Sequence, residues 1–161
     1  MLDQKYQTFI ALTGNKEAQE LNNLALCMKL LSTTKVIDRS CAERLEKYQL
    51  SESRLLVLTL LQKKGTLSPL EIAEFCGVSK GSMTQQLNAL FKDQLIEKES
   101  VPEDRRKYAV SLTAKGEMVI AEALKEHTAW IEAIASPLTD EEKSQLNLLL
   151  DKITHNVIHN F

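Results

Sequence analysis

The apolar residues of this chain recur at steps of three and four over most of its length, and that period gives way to alternation once, between Leu95 and Leu112. Such a pattern restricts the fold to packed helices interrupted by a single β-hairpin. Leu21, Leu24, Met28 and Leu31 begin a stripe that Ile37, Cys41, Leu45 and Tyr48 resume, which predicts a long amphipathic helix over 18–48. Leu55 to Leu61 is apolar almost all round and predicts a buried central helix, capped by Ser51 and stopped at Gly65. Leu95–Glu99 and Tyr108–Leu112 read as strands joined by the polar tip Pro102-Glu103-Asp104-Arg105-Arg106-Lys107. Thr113 caps a helix running to about Ser136, with Ile120, Leu124, His127, Ile131 and Ile134 on one stripe. After Pro137, a capping box at Thr139–Glu142 opens the last helix, lined by Leu146, Leu149, Leu150, Ile153, Val157 and Phe161.

The signals between these landmarks are sharper. Ser68-Pro69-Leu70-Glu71 starts a helix with a side-chain cap, a proline at the first helical position and a glutamate that reaches back. Gly77 ends it two turns later, and Ser79 caps another helix to about Lys92. A short helix, a tight turn and a second helix form a helix-turn-helix. Ala73 is small where the helices approach, and Ile72, Val78 and Met83 fill the corner. The second helix displays Ser79, Lys80, Gly81, Ser82, Thr84, Gln85, Gln86 and Asn88, and only Lys80 and Lys92 are charged between 79 and 92. Hydroxyls and amides of this kind suit the major groove of double-stranded DNA, where they meet phosphates and base edges.

The hairpin that follows makes the unit a winged helix. Asp104 precedes Arg106 by two residues, a spacing that lets the carboxylate fix the guanidinium for a narrow minor groove. Arg105 and Lys107 add attraction for phosphates. The expected fold class is therefore mainly α with a small β-hairpin wing: one domain over 1–161, with a winged helix over 50–112 and long helices at 18–48 and 113–161. That length is enough for one core without staples.

The chain resembles the MarR (multiple antibiotic resistance regulator) family of transcriptional regulators. Ser68–Ala73, Gly77–Thr84 and Leu95–Lys98 carry the resemblance, and the wing is the most specific stretch, through Asp104, Arg106, Leu112, Thr113 and Gly116. The resemblance covers roughly Leu21 to Ile158. It implies a homodimer whose N- and C-terminal helices intertwine, at 18–48 and 113–161 here, with each winged helix reading half of a near-palindromic operator. It also implies a repressor relieved by a small phenolic or lipophilic effector, by oxidation or by metal, with the effector pocket between the dimer helices and the winged helix. Two departures stand out: Gln85 occupies a place where many members carry Arg, and Glu97 and Glu99 flank Lys98 in the first strand. Both predict a shallow salt dependence of DNA binding.

Composition narrows the remaining choices. No apolar run approaches the roughly 20 residues that span a bilayer, and no export signal opens the chain, so a cytoplasmic protein with free thiols at Cys27, Cys41 and Cys76 is expected. Net charge is −2, but residues 113–161 carry four basic and eight acidic side chains, which leaves any DNA-facing surface upstream. Cys27 falls where the peroxide-sensing branch of the family keeps its reactive cysteine, which makes it the candidate redox sensor. Leu31 and Cys41 stand where that branch has tyrosines, and a packed, inert thiol is the competing reading. His155 and His159 share a helix face, but no third ligand with metal-binding spacing lies beside them, so no metal or other cofactor is expected. A Gly-rich phosphate loop, HExxH and a nucleophile elbow are all absent, which argues against an enzyme. The alternative function is a winged-helix protein-interaction module without DNA binding.

Overall fold

The computed structural model describes the backbone of residues 4–12, 18–101 and 104–160, and the side chains of 4–12, 22–99 and 108–160. Seven helices and one hairpin are formed by these residues, in the order α1 (Gln4–Leu12), α2 (Ala18–Glu46), α3 (Glu52–Lys64), α4 (Pro69–Cys76), α5 (Lys80–Lys92), β1 (Ile96–Val101), β2 (Asp104–Leu112), α6 (Ala114–Ala135) and α7 (Asp140–Asn160). Two features depart from the sequence expectation at the start of the chain. Helix α1 was not foreseen, and α2 stops at Glu46, two residues short of the stripe's end at Tyr48.

The helix starts are fixed by their caps. Ser51 Oγ accepts from the Arg54 amide, and Thr113 Oγ1 accepts from the Gly116 amide at 3.0 Å. Thr139 and Glu142 form the expected reciprocal pair, with the Thr139 amide donating to the Glu142 carboxylate at 2.8 Å.

One core holds the molecule together. Leu58 of α3, Ile72 of α4, Met83, Leu87 and Leu90 of α5, Ile96 of β1, Val110 of β2 and Ile120 of α6 are all shut off from solvent. Helix α3 is the hub, packing on α6, α4 and β2, as its all-round apolar sequence requires. Leu45 and Cys41 tie the C-terminal half of α2 to this core.

The hairpin is antiparallel, with Ile96 opposite Leu112 and Lys98 opposite Val110. Its strands are longer than the alternation predicts. The basic run expected in a loop belongs to β2, and the register slips there: Ser100 pairs with Tyr108, while Val101 pairs with Asp104. Arg105, Arg106 and Lys107 thus occupy a bulge, a device that bends a strand and re-aims its side chains. Leu67 adds a short third edge, exchanging backbone hydrogen bonds with Val110 at 3.0 and 2.8 Å.

The last helix contrasts with the rest. No residue of α7 is buried, and Leu146, Leu149, Leu150, Ile153 and Val157 are all solvent-facing within one chain. Ile131 and Ile134 at the end of α6 share this exposure. An apolar stripe of this length left in water is the signature of a surface awaiting a partner.

Candidate nucleic-acid interface

The helix-turn-helix is built by local hydrogen bonds at each of its corners. Glu71 accepts from the Ser68 amide at 2.8 Å and the Ser68 hydroxyl at 2.7 Å, while Ser68 Oγ accepts from the Glu71 amide at 3.3 Å. The Ser68 hydroxyl, and then its backbone N–H, stabilise the Glu71 carboxylate and lower its pKa. At the turn, Gly77 adopts the left-handed conformation, φ 64° and ψ 30°. That conformation lets its own amide donate to Glu74 O and the Val78 amide donate to Ala73 O. The chain is then redirected into Ser79, whose Oγ accepts from the Ser82 amide at 3.2 Å.

Helix α5 divides into two faces. Met83, Leu87 and Leu90 are buried, and Lys80, Gly81, Ser82, Thr84, Gln85 and Asn88 are exposed. A Cβ added to Gly81 would meet nothing within 4 Å, so the backbone there is open to close approach from outside. The Thr84 hydroxyl donates to Lys80 O at 2.8 Å, so that hydroxyl is already engaged by its own helix. Gln86 differs from its neighbours: it is half-buried beside the apolar face, and its Oε1 is buried without a partner.

The wing root is fastened to the C-terminal end of α5. The Thr113 amide donates to Leu95 O at 3.2 Å and the Thr113 hydroxyl to Gln94 O at 2.7 Å. Lys115 Nζ donates to Asp93 O at 2.8 Å, and Arg54 joins the Asp93 carboxylate at 3.2 Å. The Leu112-Thr113…Gly116 part of the wing motif therefore has a structural basis: Thr113 closes α5, aligns β2 and caps α6. Asp104, Arg105, Arg106 and Lys107 have their backbone in β2, and their side chains lie outside the described residues.

Lys98 is the residue whose place the sequence reading missed. Alternation along β1 puts it on the same face as buried Ile96, turned to α5, whereas Glu97 and Glu99 are exposed on the other face. Its Nζ donates to Asn88 Oδ1 at 3.0 Å and sits 4.8 Å from the Phe91 ring centre and 5.1 Å from that of Tyr108. The glutamates adjacent in sequence are thus not adjacent in space. The signal was the strand alternation itself.

The other candidate residues fall elsewhere. Cys27 is exposed on α2, contrary to the reading of a packed thiol, while Cys41 is buried on the same helix. Burial raises the Cys41 pKa, with Glu52 and Asp38 adding to the effect, and burial alone raises that of Cys76. His155 and His159 place their ring centres 4.2 Å apart on α7 with the rings tilted by 50°, and no group of three or more metal-binding side chains occurs among the described residues. Among the described residues, no helix is long and apolar enough to cross a membrane.

Two open cavities lie on the surface, one beside the helix-turn-helix and one away from it. One, of about 630 Å³, lies beside Ser68, Pro69, Lys80, Thr84 and Tyr108. The other, of about 700 Å³, lies between α2 and the start of α3, beside Cys41, Leu50 and Arg54.

A capped helix-turn-helix, an antiparallel hairpin fastened behind it and long flanking helices define a winged-helix transcriptional regulator. The sequence model of the MarR family matches residues 50–108. The transcriptional regulator BilQ of Clostridium symbiosum is 30% identical over 113 residues, covering 70% of this chain and 78% of BilQ. PecS of Dickeya dadantii is 27% identical over 128 residues, covering 78% and 77%. The repressor YetL of Bacillus subtilis is 29% identical over 133 residues, covering 81% and 80%. Among solved structures, YusO of Bacillus subtilis superposes with a TM-score of 0.66 at 29% identity, covering 87% of this chain and 99% of YusO. A mutant MarR from E. coli complexed with operator DNA shares the fold, with a TM-score of 0.66 at 22% identity and coverage of 86% and 99%. The chain belongs to the MarR family of transcriptional regulators.

Proposed function

We propose that this protein is a homodimeric, sequence-specific repressor that occupies a near-palindromic operator. The observation that carries the reading is the division of α5: a buried apolar face opposite an exposed face of hydroxyls and amides, carrying Lys80 and Lys92 as its charges. A helix that only had to be soluble gains nothing from such restraint, whereas a helix that enters the major groove needs neutral hydrogen-bonding groups beside bases and cations at the phosphates. Ser79, Lys80, Gly81, Ser82, Thr84, Gln85 and Asn88 form the reading face. Gln86 supports it from the flank. Arg106 reaches the minor groove from the wing, positioned by Asp104, and Arg105 and Lys107 meet phosphates.

The exposed apolar stripe of α7 supports the dimer. Its exposed leucines, Ile153 and Val157, together with Ile131 and Ile134 of α6, are covered by the same helices of a second copy. Two-fold symmetry then sets the recognition helices roughly 34–36 Å apart, one duplex turn. The related repressor YetL supports repression as the mode of action. Relief comes from a small lipophilic effector in a cavity between the flanking helices and the winged helix. An effector that prefers the free dimer lowers DNA affinity by the same factor that DNA lowers its own. The relatives are named as regulators, and we read this chain likewise as non-catalytic.

Selection from a library of random duplexes tests the reading. Enrichment of a near-palindrome is the expected result. A dimer that enriches no sequence at low salt would favour the protein-interaction module instead.

A further inference from the structure

Asn88 and Lys98 meet across the gap between α5 and the hairpin, and their chemistry bears on which bases the reading face prefers. A lysine ammonium only donates hydrogen bonds. With Nζ 3.0 Å from Asn88 Oδ1, the amide must turn its oxygen toward Lys98 and its nitrogen away. The ammonium is itself held by two aromatic faces, Phe91 of α5 at 4.8 Å and Tyr108 of β2 at 5.1 Å. Phe91 is half-exposed at the end of α5, so one face of its ring is free to meet this cation. Asn88 is exposed one turn beyond Thr84 and Gln85, on the face that would enter the groove.

We propose that Lys98 is a specificity-determining residue: by holding the Asn88 oxygen, it presents the amide to the duplex as a donor and favours guanine or thymine over adenine at the base Asn88 meets. The proposal rests on the DNA-reading function given above. An unconstrained asparagine favours adenine, because its oxygen and nitrogen together match the N6–H donor and N7 acceptor. That bidentate match needs both ends of the amide in the plane of the base, and Lys98 has engaged one of them. Guanine O6 and N7 and thymine O4 are acceptors that the remaining N–H groups satisfy without the oxygen. The oxygen retains a second lone pair, so the effect is a bias in affinity. Lys98 directs its charge at the Asn88 amide and two aromatic rings of its own chain, and so contributes little to phosphate binding.

Duplex selection with the wild type, Lys98→Met, Lys98→Arg and Asn88→Ala tests this, followed by affinities on duplexes that differ at one position per half-site. The wild type is expected to prefer guanine or thymine at one such position. Lys98→Met, which keeps the aliphatic stem, is expected to move the preference there toward adenine by about tenfold. Lys98→Arg still donates and retains the wild-type preference, and Asn88→Ala levels it. The slope of log affinity against log salt stays unchanged in Lys98→Met. A uniform loss across all bases, with a slope flatter by about 0.9, would make Lys98 a phosphate contact and overturn the proposal. An unchanged base preference in Lys98→Met would also overturn it. A folded wild type that selects no site contradicts the DNA-reading function itself and removes the proposal with it.

Discussion

The Leu95 carbonyl oxygen lies 2.0 Å from the point where a Cβ on Gly116 would stand. Nothing flexible separates the two: the obstacle is backbone, and the same carbonyl accepts from the Thr113 amide. Gly116 lets α6 start directly against the turn between α5 and β1. Gly116→Ala must push the two elements apart, and we expect it to cost about 1–3 kcal/mol, the usual range for overpacking. Urea unfolding measures it as a lower midpoint at an unchanged slope.

Gly77 presents the opposite case. Nothing lies within 4 Å of its missing Cβ, so space is not the issue, but its φ of 64° is left-handed. Gly77→Ala should cost roughly 1–2 kcal/mol through backbone conformation alone. Gly77→Asn should recover much of that loss, because asparagine tolerates this region. The Gly116 position should show no such recovery with Asn. Thermal melting of the four variants separates the two mechanisms.

The Ser68–Glu71 box predicts a pH dependence with a definite sign. Glu71 has a lower pKa folded than unfolded, so its contribution is present above the unfolded value and is lost as pH falls through the folded one. Stability should therefore decline below about pH 5, and Glu71→Gln should flatten that part of the profile. Ser68→Ala should cost about 1 kcal/mol at neutral pH. Denaturant midpoints at a series of pH values give both results.

On α7, Ile153→Glu puts a charge into the stripe that we assign to the dimer. The wild type should sediment at twice the 18.2 kDa chain mass, and the variant should move toward the monomer at micromolar concentration. Affinity for a full operator should fall with it, because two linked half-site contacts become one.

Gln85 is an exposed, uncharged residue on the outer face of α5. Gln85→Arg should tighten binding to all duplexes and steepen the salt slope by about 0.9 if the new group meets a phosphate. A gain confined to one base, with no change of slope, would mean that the position reads sequence.

Much of the winged helix was legible because its punctuation is local. Ser51, Ser68, Ser79 and Thr113 cap their helices through hydrogen bonds three residues away, and Gly77 turns the chain through its own φ. What was not legible depends on contacts between distant segments. The Leu67–Val110 bridge joins residues far apart in sequence, and nothing near Leu67 announces it. Strand β2 runs back to Asp104 because pairing with β1 outweighs the polar character of its sequence. Lys98 was read among the glutamates beside it, whereas pleating separates them and brings it to Asn88, ten residues earlier. Helix α1 is only nine residues long and buries none of them.

The central claim is that two copies of α5 read one face of a duplex. Hydroxyl-radical footprinting of the selected operator tests it most directly. We predict two protected segments related by a dyad, with centres one helical turn apart at roughly 34–36 Å. In Arg106→Ala the flanking minor-groove protection should be lost while the central spacing is kept. A single asymmetric footprint, or protection unaltered by Ile153→Glu, would contradict the account.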